Sequence, residues 1–204
     1  MVQSIEKMIQ KFMEAKYEEV AEEKYLKVSD GSELRVLISK AEKSKRNGYT
    51  LVLVPGWATV VPSWDEVLLE AMNDFDIIYL ETREKKSCKL TPEAKFDLDR
   101  MSEDFKNIFE ILELDQNKVV VLASSYGVLS VGEALAKKKI NPFLSVFIGA
   151  FDRFDMPPFT RYLIPILRPF FITSLKPLWK LWIRKAKSED PEQAAKYYRA
   201  LDEA

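Results

Sequence analysis

KVVVLASSYGVLSVGEALAKK, from Lys118 to Lys138, is the stretch that decides the fold. Lys118 to Ala123 is a near-continuous apolar run, the pattern of a strand buried on both faces of a parallel sheet. Gly127 to Lys137 predicts a helix immediately after it. Between them lies Ala123-Ser124-Ser125-Tyr126-Gly127, so Ser125 falls on a tight strand-to-helix turn. Small residues two before and two after it let the backbone fold sharply and lift the hydroxyl above the sheet. The N-terminus of the following helix points at the same place and favours negative charge there. A nucleophilic serine needs this arrangement. The plainer alternative is a serine whose side chain caps the helix.

The flanking sequence repeats the alternation. Upstream, Thr50 to Val54 (TLVLV) and Phe75 to Leu80 (FDIIYL) predict two further inner strands, separated by a helical segment that Pro62 opens and that runs through Trp64, Val67, Leu68 and Met72. Thr91-Pro92-Glu93 signals a helix start with proline in the first turn, and the helix is expected to run to Leu114. Downstream, Leu144 to Ile148 (LSVFI) predicts a fourth inner strand. Strands alternating with helices at this spacing imply a parallel sheet with right-handed crossovers. Ahead of it, Tyr25 to Val28 and Leu34 to Ile38 flank Ser29-Asp30-Gly31-Ser32, a hairpin signal. Lys40 to Gly48 is a charged loop.

The two ends differ from this core. Ile5, Met8, Ile9, Phe12, Met13 and Val20 follow helical spacing and predict an N-terminal amphipathic helix over residues 1–24. From Asp152 onward the chain is rich in proline, aromatic and basic residues, including Phe159, Tyr162, Trp179, Trp182 and Arg184. The expected organisation is therefore the helix at 1–24, an α/β core at 25–151 and a lid-like helical segment at 152–204.

Composition narrows the function. The 204 residues are 47% hydrophobic and 31% charged, which suits a folded globular chain. A formal net charge of −1 gives no electrostatic case for nucleic acid. Cys88 is the single cysteine, so no internal disulfide forms, and its charged surroundings predict an exposed thiol. No hydrophobic leader core and no uncharged stretch long enough to span a bilayer is visible, so a cytoplasmic location is expected. No metal site and no cofactor is expected. Above all, the chain contains no histidine. Imidazole is therefore absent from any mechanism this chain performs alone.

The order of segments and the elbow at Ser125 resemble the α/β-hydrolase superfamily, in its lipase- and esterase-like branch of serine hydrolases with a helical cap. The family's G-x-S-x-G matches with Ala123 in place of the first glycine. Val54-Pro55-Gly56-Trp57 falls where the family places its oxyanion loop. The resemblance implies an α/β-hydrolase-like, mostly parallel sheet with helices on both faces, an N-terminal hairpin and a partial helical cap at the C-terminus. It implies Ser125 as nucleophile and the backbone N–H groups of Trp57 and Tyr126, with Gly56, as the oxyanion hole. A plain turn with a core tryptophan is the alternative at Gly56-Trp57. A weaker match to the family's D-x-R-G-x-G-x-S is Glu81-Thr82-Arg83-Glu84-Lys85-Lys86-Ser87, keeping Arg83 and Ser87 and replacing both glycines. No lysine lies at a spacing that argues for a serine–lysine dyad.

In that family an acid and a histidine normally follow two more strands beyond the cap, and neither is found here. Asp152 and Asp155 follow the fourth inner strand, where some lipases of this fold carry the acid, although capping a helix is the commoner use. The expected chain is thus a truncated, split or catalytically degenerate serine hydrolase, losing on the order of 10⁴ to 10⁶ in rate without its base. The expected ligand is a small acyl or ester substrate or a lipid, and the expected partners are a second copy or a complementing C-terminal chain. Residues 159–184 could close over an apolar pocket, lie on a membrane surface, or contact another subunit. A non-catalytic module that binds lipid or a partner is the competing reading.

Overall fold

The computed structural model describes residues 16–42, 46–57, 59–151, 159, 169–186 and 190–203. Of the helix expected over residues 1–24, residues 1–15 lie outside the described residues, as do Asp152 and Asp155; the described part is helical at Lys16–Val20 and gives way to a strand at Glu22. Those described group into a sheet unit that runs through Phe151 and a helical unit beyond it.

The sheet unit holds six strands: β1 (Glu22–Lys27), β2 (Glu33–Ser39), β3 (Thr50–Val54), β4 (Asp76–Leu80), β5 (Val119–Ser124) and β6 (Leu144–Ile148), in spatial order β1-β2-β4-β3-β5-β6. β4, β3, β5 and β6 run parallel, with Val52 opposite Ile78 on one side and Val121 on the other. β1 and β2 form the antiparallel hairpin, and β2 joins β4 antiparallel. The hairpin turn works as Asp-Gly predicts: Gly31 sits at φ 86°, and the Asp30 carboxylate accepts from the Ser32 N–H. β1 starts at Glu22, three residues before the expected position, because its ladder with β2 extends to Glu22 opposite Ile38.

The helices of this unit are α1 (Lys16–Val20), α2 (Asp65–Ala71), α3 (Leu98–Ile111) and α4 (Tyr126–Ala136), with a 3₁₀ turn at Val61–Trp64 ahead of α2. Alternation along the strands assigns each side chain to one of two cores. Val52, Val54, Ile78, Leu80, Val121 and Ala123 face α3 and α4 through Phe105, Ile108, Val128 and Val131. Leu51, Leu53, Ile77 and Tyr79 face the opposite way, toward Tyr17, Val61 and Leu68. β3, β4 and β5 are therefore covered on both sides, as their continuous apolar runs require.

Two expectations need correcting here. α3 begins at Leu98, not near Thr91, because Asp97 is the true cap: its carboxylate accepts from the Arg100 N–H at 2.9 Å. Thr91 instead closes a turn with Ala94. The second concerns β6, whose mostly apolar sequence reads as a strand buried on both faces. It is the outer strand of the sheet, and Leu144, Val146, Phe147 and Ile148 are all exposed, as is Phe143 before it.

The helical unit pairs α5 (Pro169–Ala186) with α6 (Pro191–Glu203). Ile183 packs on Ala194 and Ala195, Tyr198 donates its hydroxyl to the Lys180 carbonyl, and Lys180 pairs with Asp202 at 2.6 Å. Trp179 and Trp182 are exposed on α5 and meet edge to face. No described helix is long and apolar enough to cross a membrane.

Candidate active site

β5 ends at Ser124 and α4 begins at Tyr126, so a single residue makes the turn. That residue is Ser125, at φ 49° and ψ −118°. A side chain with a Cβ occupies this region only at a cost of about 1–3 kcal/mol, and such costs concentrate where geometry serves function. Ser125 is exposed, and its side chain makes no capping bond to α4. A helix-capping serine is therefore not what the structure shows. The turn is held instead through its backbone: the Ser125 N–H donates to the Ile148 carbonyl of β6 at 2.9 Å, and the Ser125 carbonyl accepts from Val128.

Close packing explains the small residues around it. A Cβ on Gly127 would stand 2.7 Å from both the Val54 and the Pro55 carbonyl oxygens, so only glycine lets α4 lie against the end of β3. Gly127→Ala is accordingly expected to lower stability by about 1–3 kcal/mol, since backbone rather than a flexible side chain must yield. Urea unfolding of the two forms measures it, and an unchanged midpoint would contradict this packing. A Cβ on Gly56 would stand 3.0 Å from the Ser125 Cβ, which places the loop after β3 directly beside the serine. Ala123, in the position of the first motif glycine, is fully buried.

Two N–H groups lie at this point of contact. Tyr126 opens α4, so its N–H has no acceptor within the helix. Among the described residues, the Trp57 N–H makes no hydrogen bond. Trp57 itself is 69% exposed, so it is not the core tryptophan of the alternative reading. Gly56, Trp57, Ser125 and Tyr126 are thus brought together, and the Tyr126 hydroxyl turns back to the Met101 sulfur at 3.5 Å. Burial, and then the nearby Glu84 carboxylate, push that hydroxyl's pKa above its ordinary value.

The loop after β4 meets the loop after β3 through Lys85. Arg83 is fully buried and grips the Asp104 carboxylate with two bonds, at 2.6 and 2.7 Å, while also bonding Asp30 and the Lys95 carbonyl. Counted from Glu81, the serine of the eight-residue motif falls on Cys88, so Ser87 is not in register. Cys88 is buried, not exposed; its thiol lies against the Glu81 and Thr82 carbonyls, and burial pushes its pKa up to about 12. Lys85, which the spacing did not single out, is buried and bonds the Gly56 and Thr59 carbonyls at 2.9 and 2.8 Å. Its reach across the sheet end is tertiary, and no local pattern announces it.

Among the described residues no group of three or more acidic or cysteine side chains could hold a metal. No family model matches the chain, and no curated protein does. Solved structures do. A hydrolase from Pseudomonas aeruginosa aligns with 89% of this chain and 67% of its own at TM-score 0.63 and 18% identity. Naproxen esterase from Bacillus subtilis aligns with 99% of this chain and 67% of its own at TM-score 0.61 and 10% identity. The esterase RhEst1 from Rhodococcus aligns over 90% and 72% at TM-score 0.58 and 18% identity. Sheet order, parallel core and these likenesses agree: the chain has the α/β-hydrolase fold.

Proposed function

We propose that this chain carries an acyl-transfer site of the serine-hydrolase type. Ser125 is its nucleophile position, and the Trp57 and Tyr126 N–H groups are its oxyanion donors. The observation that carries this is the strained φ of Ser125, exposed, uncapped and in contact with Gly56. A strained turn with an exposed, uncapping hydroxyl serves attack on a carbonyl, not helix capping. Similarity of fold to two esterases supports an ester or another small acyl compound as the substrate class.

The site has no imidazole to act as general base, because the chain has no histidine. A thiolate needs no such base, and a helix N-terminus lowers a thiol's pKa. Ser125→Cys is therefore expected to be acylated by nitrophenyl acetate at residue 125, seen as a mass gain located by peptide mapping. If iodoacetamide alkylates the Ser125→Cys thiol while nitrophenyl acetate leaves it unacylated, the reading is overturned.

Completion from another chain would occur along β6. Its outer edge is unpaired among the described residues, and its apolar side chains are exposed. An unpaired apolar edge is a template for pairing with another strand. The purified chain is expected to self-associate, or to stay soluble only with a partner that adds a strand there. Size-exclusion chromatography with light scattering decides it: a clean monomer near 23.6 kDa with cooperative unfolding would contradict the proposal.

A further inference from the structure

Lys85 is tied to the loop beside Ser125 in a way that sequence spacing gave no reason to expect. Its ammonium is almost entirely buried and donates to the Gly56 carbonyl at 2.9 Å and the Thr59 carbonyl at 2.8 Å. The Thr59 N–H donates to the same Gly56 oxygen at 3.2 Å. Lysine and the Thr59 N–H together thus occupy both lone pairs of that oxygen, and Lys85 ties Gly56 and Thr59 to one cation.

The Gly56 carbonyl and the Trp57 N–H are the two ends of one peptide unit. The unit is trans, as no cis peptide occurs among the described residues, so its C=O and N–H point in opposite directions. A cation fixed on the carbonyl end therefore does two things. It sets the plane of the peptide, aiming the N–H away from Lys85. It also draws electron density toward the oxygen, which makes the N–H a stronger donor, an effect enlarged where water is excluded. Gly56 abuts the Ser125 Cβ, so this peptide borders the space in which an oxyanion would form.

Resting on the acyl-transfer reading above, we infer that Lys85 is a positioning residue for the oxyanion hole, acting through the Gly56–Trp57 peptide. The role inferred for it is not that of a substitute base, since its ammonium donates to the carbonyl oxygens of Gly56 and Thr59. Its role is to prearrange a donor, the kind of contribution whose removal slows acyl transfer without touching the nucleophile.

The test uses the full chain with Ser125→Cys, and measures two second-order rates at one pH: acylation by nitrophenyl acetate and alkylation by iodoacetamide. Only acylation passes through an oxyanion. Any change in the thiolate population at residue 125 moves both rates alike, so their ratio isolates the oxyanion hole. Cys88 is buried with a raised pKa, and peptide mapping separates its signal. Adding Lys85→Met is expected to lower the acylation-to-alkylation ratio about tenfold or more, given that a lost oxyanion donor costs ~10²–10³. Lys85→Gln, which keeps a donor without the charge, is expected to fall between. Should Lys85→Met not fold, as read by thermal unfolding, Lys85→Gln decides by the same ratio. A ratio within about twofold of the parent in the folded variants would overturn the role of Lys85 while leaving the site intact. A parent that is alkylated but never acylated would overturn the site reading, and this inference with it.

Discussion

Arg83→Met is expected to destabilise the sheet unit by about 3–5 kcal/mol, the largest loss from any single substitution considered, measured as a fall in the urea midpoint. Arg83 is fully buried, and its guanidinium donates to Asp104 in a two-bond fork, to Asp30 and to the Lys95 carbonyl. Bringing that charge out of water is costly, and only this complete set of acceptors offsets it. Methionine fills similar space but leaves the Asp104 carboxylate at low exposure with Arg100 alone to pair it. Asp30 responds too. Burial raises its carboxyl pKa, and the hydrogen bonds from Arg83 and Ser32 more than reverse that, holding it below the ordinary carboxylate value. Because the cost lies in a stranded charge, Arg83→Met and Asp104→Leu together should cost less than the sum of the two alone. A loss under about 1 kcal/mol for Arg83→Met would mean that the network is solvated and contributes little.

The network also links distant pieces of sequence around the site. Asp30 belongs to the hairpin turn, Asp104 to α3, and Arg83 to the loop that carries Lys85 two residues later. The bonds that hold Arg83 therefore also anchor the loop from which Lys85 reaches the Gly56 and Thr59 carbonyls. A site that depends on prearranged donors needs such support, because a displacement of even 1 Å can cost roughly 10²-fold in rate.

Much of this was legible in the sequence. TLVLV and LSVFI gave β3 and β6 to the residue: a short apolar run alone suits a strand or a buried helix, and five residues rich in β-branched and aromatic side chains, ended by Pro55-Gly56 and Gly149, decide for strand. The elbow was legible because its requirement is local: small residues flanking a serine between strand and helix. Cap chemistry misled at Thr91-Pro92, a valid helix start signal that a turn used first, while Asp97 did the capping. Cys88 was misplaced because charged neighbours in sequence say nothing of which side chains fold inward. Lys85 was missed for the same reason, as its partners lie 26 and 29 residues away in the chain. The unpaired edge of β6 agrees with the association expected of such a strand, while the exposure of its side chains departs from its mostly apolar pattern, which states what would best cover it, not what covers it.

The absence of imidazole has the largest expected effect on chemistry, and it too is read from the sequence. A serine hydroxyl at neutral pH attacks slowly unless a base takes its proton, and oxyanion donors cannot supply that function. Losing the base from such a site leaves a rate on the order of 10⁴ to 10⁶ below a complete one. The decisive measurement is hydrolysis of nitrophenyl acetate by the unaltered chain, compared with Ser125→Ala at the same concentration and pH. Turnover barely above the uncatalysed rate, and nearly equal in the two proteins, is the expected result. Robust turnover that disappears on Ser125→Ala would show that a base other than histidine already serves Ser125 within this chain.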